Sequence, residues 1–166
     1  MQSIVQVLAQ IAATKACLLL PPAGQPSLPS GTQLPADLGA FYSEAGGATL
    51  FAGADYPFTI LGPSFVAPTN LRLLGHAKTG DVSDHWFTIA EDGNGDFLSI
   101  DLSASRLGQC YDSFHETHGL VGSTPIIATS FTDLLCRLLA NGGAHPYWLA
   151  SDFSSLGDAY DGNSEA

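Results

Sequence analysis

Trp86-Phe87-Thr88-Ile89-Ala90-Glu91-Asp92-Gly93-Asn94-Gly95-Asp96-Phe97-Leu98-Ser99-Ile100-Asp101-Leu102 is the stretch whose reading decides the fold. Two runs of apolar, β-branched and aromatic residues, Trp86–Ala90 and Phe97–Leu102, flank a segment made only of acidic residues, Gly and Asn. Gly and Asn tolerate the positive backbone angles of a tight turn, so the stretch predicts a hairpin with strands over 85–91 and 96–102. Downstream, Gln109–Ser113 predicts a further strand. Ser130-Phe131-Thr132-Asp133 has the form of a capping box, with Asp where Glu is commoner. Phe131, Leu134, Leu135, Leu138 and Leu139 then share one face of a helix that Gly142-Gly143 stops.

Working back from the hairpin, Ile4, Val5, Leu8, Ile11 and Ala12 recur at three- and four-residue steps, which predicts a helix over 2–17. Pro21-Pro22 cannot continue its hydrogen-bond ladder. Residues 21–33 carry four prolines and read as a loop. Pro35 opens a second helix, to Ala45, with Leu38, Phe41 and Tyr42 on one face and Gly46-Gly47 as its stop. Ala48–Ala52 and Phe58–Leu61 predict short strands. Residues 63–75 read equally as an edge or a helical turn. After the last helix, Tyr147-Trp148-Leu149 is expected to pack back on the body. The sum is an α+β fold: a mainly antiparallel central sheet flanked by N-terminal and C-terminal helices. It is expected to form a single compact domain over residues 1–157, with 158–166 an acidic tail of the composition of disordered ends.

The 166 residues suffice for one good core and are too few for two ordinary domains. Hydrophobic residues make up 45%, which argues against wholesale disorder, and charged residues only 13%. The net charge of −11 is unevenly spread: residues 1–80 balance 3 cations against 3 acids, and residues 81–166 set 2 cations against 13 acids. Phosphates would be repelled, which excludes direct nucleic-acid binding. An acidic half favours a basic protein partner, with solubility as the plain alternative. Cys17, Cys110 and Cys136 are odd in number and widely spaced, which fits reduced thiols and no disulfide framework. The apolar N-terminus lacks the positive start of a secretory signal, and Lys15 sits where a lipoprotein signal needs small uncharged residues. No stretch approaches the roughly 20 apolar residues of a membrane span. The expected location is the cytoplasm, as a monomer or weak dimer.

The chemistry-bearing residues fail the spacing their chemistry requires. Read as a calcium loop from Asp92, the sixth and twelfth positions hold Phe97 and Ser103 where Gly and a bidentate Glu are needed. His115-Glu116-Thr117-His118 spaces its histidines three apart, whereas the metalloprotease helix needs four. Cys110 has Asp112 and Glu116 nearby, which oppose a thiolate, and only Arg106 to favour one. Phosphate-binding glycine loops are absent. The residues therefore indicate no catalytic set, no cofactor and no metal ligands. A Cys/His hydrolase or metal protein centred on Cys110, His115 and His118 is the weaker alternative.

Leu34-Pro35-Ala36-Asp37-Leu38, Phe41-Tyr42 and Gly46-Gly47 resemble the N-terminal signature of the SUKH superfamily, the fungal cell-wall-assembly-regulator-like proteins and their bacterial relatives. The Trp86 strand, the Asp92–Asp96 turn, Ile100-Asp101-Leu102, Asp112, His115-Glu116 and Ser130-Phe131 through Leu135 follow in the family's order, so the resemblance spans residues 34–150. It implies a non-enzymatic α+β binding domain. Many bacterial members resemble immunity proteins that neutralise toxins, often nucleases; fungal members are signalling scaffolds. The resemblance implies an immunity protein for a basic toxin domain, with a regulatory scaffold of the same fold as the alternative. The long 21–33 loop and the acidic tail depart from a minimal member and leave partner choice open. The expected contact surface is Asp92, Asp96, Asp112, His115 and Glu116, with Trp86 as an apolar anchor.

Overall fold

The Trp86 hairpin is the centre of an eight-stranded sheet in the computed structural model, which describes residues 2–162. In chain order the strands are β1 (Leu18–Leu19), β2 (Ala48–Leu50), β3 (Phe58–Ile60), β4 (Ala67–Pro68), β5 (Trp86–Glu91), β6 (Phe97–Asp101), β7 (Cys110–Ser113) and β8 (Ile126–Ala128). Their spatial order is β1-β2-β3-β5-β6-β7-β8, with β4 paired to β5, and every pairing is antiparallel. Helices are α1 (Ile4–Ala13), α2 (Ala36–Glu44), α3 (Thr69–Leu74) and α4 (Phe131–Asn141). The fold is α+β, as the sequence pattern predicts. No helix among the described residues is long and apolar enough to cross a membrane.

The β5–β6 turn forms because Asp92 substitutes for a backbone acceptor. Its Oδ1 accepts from Asn94 N at 2.7 Å and Asp96 N at 3.2 Å, and Gly93 and Gly95 take φ of +82° and +94°. Facing residues of neighbouring strands then sort to two sides. Phe87, Leu98, Ile100 and Cys110 lie toward α1, α2 and α4, where they join Ile11, Phe41, Phe131 and Leu135 in the main core. Phe41 meets Phe131 edge-to-face at 5.1 Å. Asp37 ties two helix starts together: its Oδ2 accepts from Thr132 N at 2.8 Å, satisfying one orphan donor of α4. The Gly46-Gly47 pair is a packing requirement, since a Cβ on Gly46 would run into the Pro21 carbonyl oxygen and Gly47 has φ +129°.

The other side of the sheet carries Trp86, Thr88, Ser99, Asp101, Tyr111 and Ser113. Trp86 stacks on Tyr111 at 4.1 Å between centroids, and Ala159 closes over the pair. This explains a departure from expectation at the C-terminus. Residues 158–160 are built into the body: Asp158 accepts from Gly122 N at 3.2 Å and Thr124 N at 2.8 Å, Ala159 N donates to Thr124 O at 2.9 Å, and Tyr160 OH donates to Asp81 at 2.8 Å. Residues 163–166 of the expected tail lie outside the described residues.

Other boundaries shift for local reasons. The first helix ends at Ala13 instead of reaching 17, and Leu18–Leu19 pair with β2. Residues 63–75 are both things at once: a 3-10 turn at Pro63–Phe65, the edge strand β4, then α3. Strand β8 gave no two-residue alternation to read, being only 3 residues long. At the start of α4, Ser130 Oγ accepts from Asp133 N at 3.1 Å, but Asp133 Oδ2 reaches back to Thr129 N, not to Ser130 N.

Candidate partner-binding cleft

At one end of the sheet the β5–β6 turn, the end of β7, the loop 114–125 and a 3-10 turn at Tyr147–Leu149 enclose a cleft of about 490 Å³. The floor is apolar: Phe58, Leu98 and Trp148 are buried, with Phe58 and Trp148 rings 6.1 Å apart. Trp148 is held in place by its neighbour, because Tyr147 OH donates to Ile127 O at 2.7 Å and the two rings meet edge-to-face. At the rim stand Tyr56, Phe114 and Leu149, the last 71% exposed.

Three carboxylates project into this cleft. Asp112 lies opposite Leu98 in the β6–β7 ladder and therefore shares its face. Its Oδ2 accepts from Trp148 Nε1 at 2.9 Å and its Oδ1 from Phe114 N at 3.2 Å. Burial pushes Asp112 up to about 6; these two hydrogen bonds pull against it, and the charges of Asp96 and Asp92 push the same way as burial. Asp92 and Asp96 come from the hairpin turn. Asp96 Oδ1 accepts from His115 N at 2.8 Å and meets His115 Nδ1 at 2.8 Å, an interaction that raises the imidazole pKa. Among the described residues, no Lys or Arg lines the cleft.

Of the six residues expected at a contact surface, the structure thus gathers Asp92, Asp96 and Asp112. His115 stands beside them on Asp96, and Glu116 lies outside the lining, its carboxylate 3.9 Å from His115 Nε2. Trp86 is a correction. It is wholly buried on the opposite side of the sheet, where its ring stacks on Tyr111 and its Nε1 donates to Asp101 at 3.0 Å, so it offers no surface to a partner. The aromatic anchor available here is Trp148, with Leu149 and Phe114 around it. The Tyr147-Trp148-Leu149 triplet stood out in the sequence as packing; nothing local placed it beside a residue 36 positions away.

Cys110, His115 and His118 do not converge. Cys110 is buried on the helix side, and burial pushes its thiol well up, with Asp37 and Asp133 adding to the effect. His118 is buried on the other side, with Nδ1 3.2 Å from Ser113 Oγ and Nε2 2.8 Å from Asn70 Oδ1. Serine, histidine and amide in series have the composition of a nucleophile, base and orienter, yet Ser113 is wholly buried and meets no substrate. Among the described residues, no three His, Cys, Asp or Glu side chains gather in a metal-holding group.

Residues 28–137 match the model of the SMI1 / KNR4 family (SUKH-1). The chain belongs to this family. The match includes Asp92, Asp96 and Asp112 and stops within α4, before Trp148. A relative that spans the whole cleft is "Immunity protein YokJ" of Bacillus subtilis (strain 168), 46% identical over 160 residues, 96% of this chain and 97% of that protein. No solved structure gives a significant match. This SUKH-1 chain thus joins the family's order of motifs to an acidic cleft completed by a segment beyond the family model.

Proposed function

We propose that this SUKH-1 protein is an immunity protein: it binds a toxin protein directly, in the cytoplasm, and neutralises it by occupancy without catalysing a reaction. The observation that carries this reading is the end-to-end likeness to a protein named as an immunity protein, at 46% identity over 160 residues. At that identity and coverage, the fold is shared along almost the whole chain. The cleft supplies a contact surface with the right physics. Its floor gives apolar area for affinity, and its three carboxylates give orientation, faster association and discrimination against acidic partners. A nuclease is the toxin class the charge fits best, since a cleft built for phosphate also accepts carboxylates.

The test is stoichiometric inhibition. The purified protein is titrated into the toxin encoded beside its gene, and residual toxin activity is followed at low and high salt. Complete inhibition at one equivalent, with affinity falling as salt rises, is the expected outcome. Failure to bind that toxin removes the immunity reading; tight binding indifferent to salt removes the acidic-surface part of it.

A further inference from the structure

Among the described residues, two aspartates each accept a tryptophan indole hydrogen bond, on neighbouring strands, and only one of them is paired with a lysine or arginine. Asp101, wholly buried, accepts from Trp86 Nε1 at 3.0 Å, from Ser103 N at 2.8 Å and from Arg106 Nε at 2.8 Å. Asp112 accepts from Trp148 Nε1 at 2.9 Å and Phe114 N at 3.2 Å. The indole and the backbone amide are the same in both; the guanidinium is missing from the second. The cations Arg106, Lys78 and Arg137 are each paired with an acid of the body, and Arg72 sits over the Phe97 ring with its Nη2 on Phe65 O. The neighbours of Asp112 are instead two more carboxylates, Asp96 and Asp92.

We propose that the cleft receives an arginine side chain of the protein partner, its guanidinium on Asp112 and Asp96 and its plane against the aromatic floor at Trp148. This deepens the immunity reading and rests on it for the partner's being a protein. Arginine fits better than lysine on three counts. A guanidinium is planar and stacks on aromatic faces, it forks onto carboxylates, and it is more weakly hydrated than an ammonium on entering an apolar recess. A volume of about 490 Å³ also exceeds one side chain, so the residues flanking the arginine enter too and meet Leu149 and Tyr56 at the rim.

The titration of Asp112 gives the binding a pH signature. A docked guanidinium favours the carboxylate, so binding releases a proton and weakens as pH falls through about 6. The charged and polar groups that face Asp112 are Asp96 and Asp92 from the turn, Trp148 Nε1, and Phe114 N; His115, on Asp96, gains charge in acid and competes for that carboxylate.

The probe is acetyl-Gly-Arg-Leu-amide, titrated into the full-length protein while the two indole N–H resonances are followed by NMR, with the citrulline peptide as an isosteric uncharged control. The arginine peptide is expected to shift the Trp148 indole saturably and leave the Trp86 indole in place. The citrulline peptide is expected to bind about tenfold more weakly, the loss of one charge-assisted hydrogen-bonded pair. Asp112→Asn should weaken the arginine peptide by a similar factor, and Asp96→Asn, which leaves the Trp148 hydrogen bond in place, should weaken it several-fold. Equal binding of arginine and citrulline peptides, or no Trp148 shift at millimolar peptide, overturns the assignment. If the peptide fails while the toxin is still neutralised, the arginine assignment falls and the immunity reading stands. If the peptide binds but no toxin does, the reverse holds.

Discussion

On one side of β5–β7, Thr69, Ser99, Ser113, His118, Asn70 and Ser83 hydrogen-bond in an unbroken series at 2.6–3.2 Å, whereas at the cleft Asp92, Asp96 and Asp112 stand together with no lysine or arginine among the described residues of the lining. The first region ends on Asp81, which takes Ser83 Oγ, Tyr160 OH and Lys78 Nζ and is held down to about 2 despite burial. Each polar group there has its partner within the chain. The cleft also has a polar partner for each carboxylate, but the charge balance is left open. A closed network fixes one packing of a polar sheet face; an open one costs the isolated protein stability, which the proposed partner arginine would offset.

The two regions predict different responses to mutation, and the largest belongs to the closed side. Arg106→Ala leaves the buried Asp101 carboxylate without its cation and should cost about 3 kcal/mol in urea unfolding, with toxin binding unchanged once folded. A loss under about 0.5 kcal/mol would show that the pair is solvated and that the contrast with Asp112 is overdrawn. His118→Ala removes one hydrogen-bond partner each from buried Ser113 and Asn70 and should cost about 2 kcal/mol, again without effect on partner affinity.

Opposite titrations sharpen the contrast. Asp112 has a folded value of about 6 against an ordinary 3.8, so its favourable contribution is fully present below 3.8 and is lost as pH rises through 6. His118 is lowered from 6.5 to about 4, chiefly by burial and then by Lys78, so its contribution is present above 6.5 and is lost as pH falls through 4. Asp112→Asn should therefore raise stability near pH 8 by on the order of 1 kcal/mol and steepen the acid loss between pH 6.5 and 4. Unfolding midpoints across that range check both parts; a variant less stable than the wild type at pH 8 breaks the argument. The smallest stability effect belongs to Leu149→Ala. An exposed side chain should change unfolding by under about 0.5 kcal/mol while weakening the partner complex measurably.

The sequence made the hairpin, the two principal helices and the three cleft carboxylates legible, because turn chemistry and periodicity are local. Gly93, Asn94 and Gly95 demand a turn wherever they stand, and Asp92 and Asp96 are carried to one place by that turn. Asp112 joins them through strand register with Leu98; the Gln109–Ser113 run predicted the strand but not its register. Trp86 and Trp148 were not legible as to side. The register that puts Trp86 opposite Asp101 turns it inward, and the fold-back that carries Trp148 to Asp112 is a long-range contact with no local signal. Likewise Asp158 reads as tail by composition, and only its bonds to Gly122 and Thr124 show it as part of the body. Two-residue strands such as β1 and β4 exist by pairing alone.

The carboxylates of the cleft are proposed to bind the partner. Calorimetric titration of the toxin against the wild type and the Asp96→Asn/Asp112→Asn double variant, each at low and high salt, tests it most directly. The double variant is expected to fold like the wild type, to bind at least about tenfold more weakly and to show a shallower dependence on salt. Equal affinity and an equal salt dependence for the two proteins would contradict it.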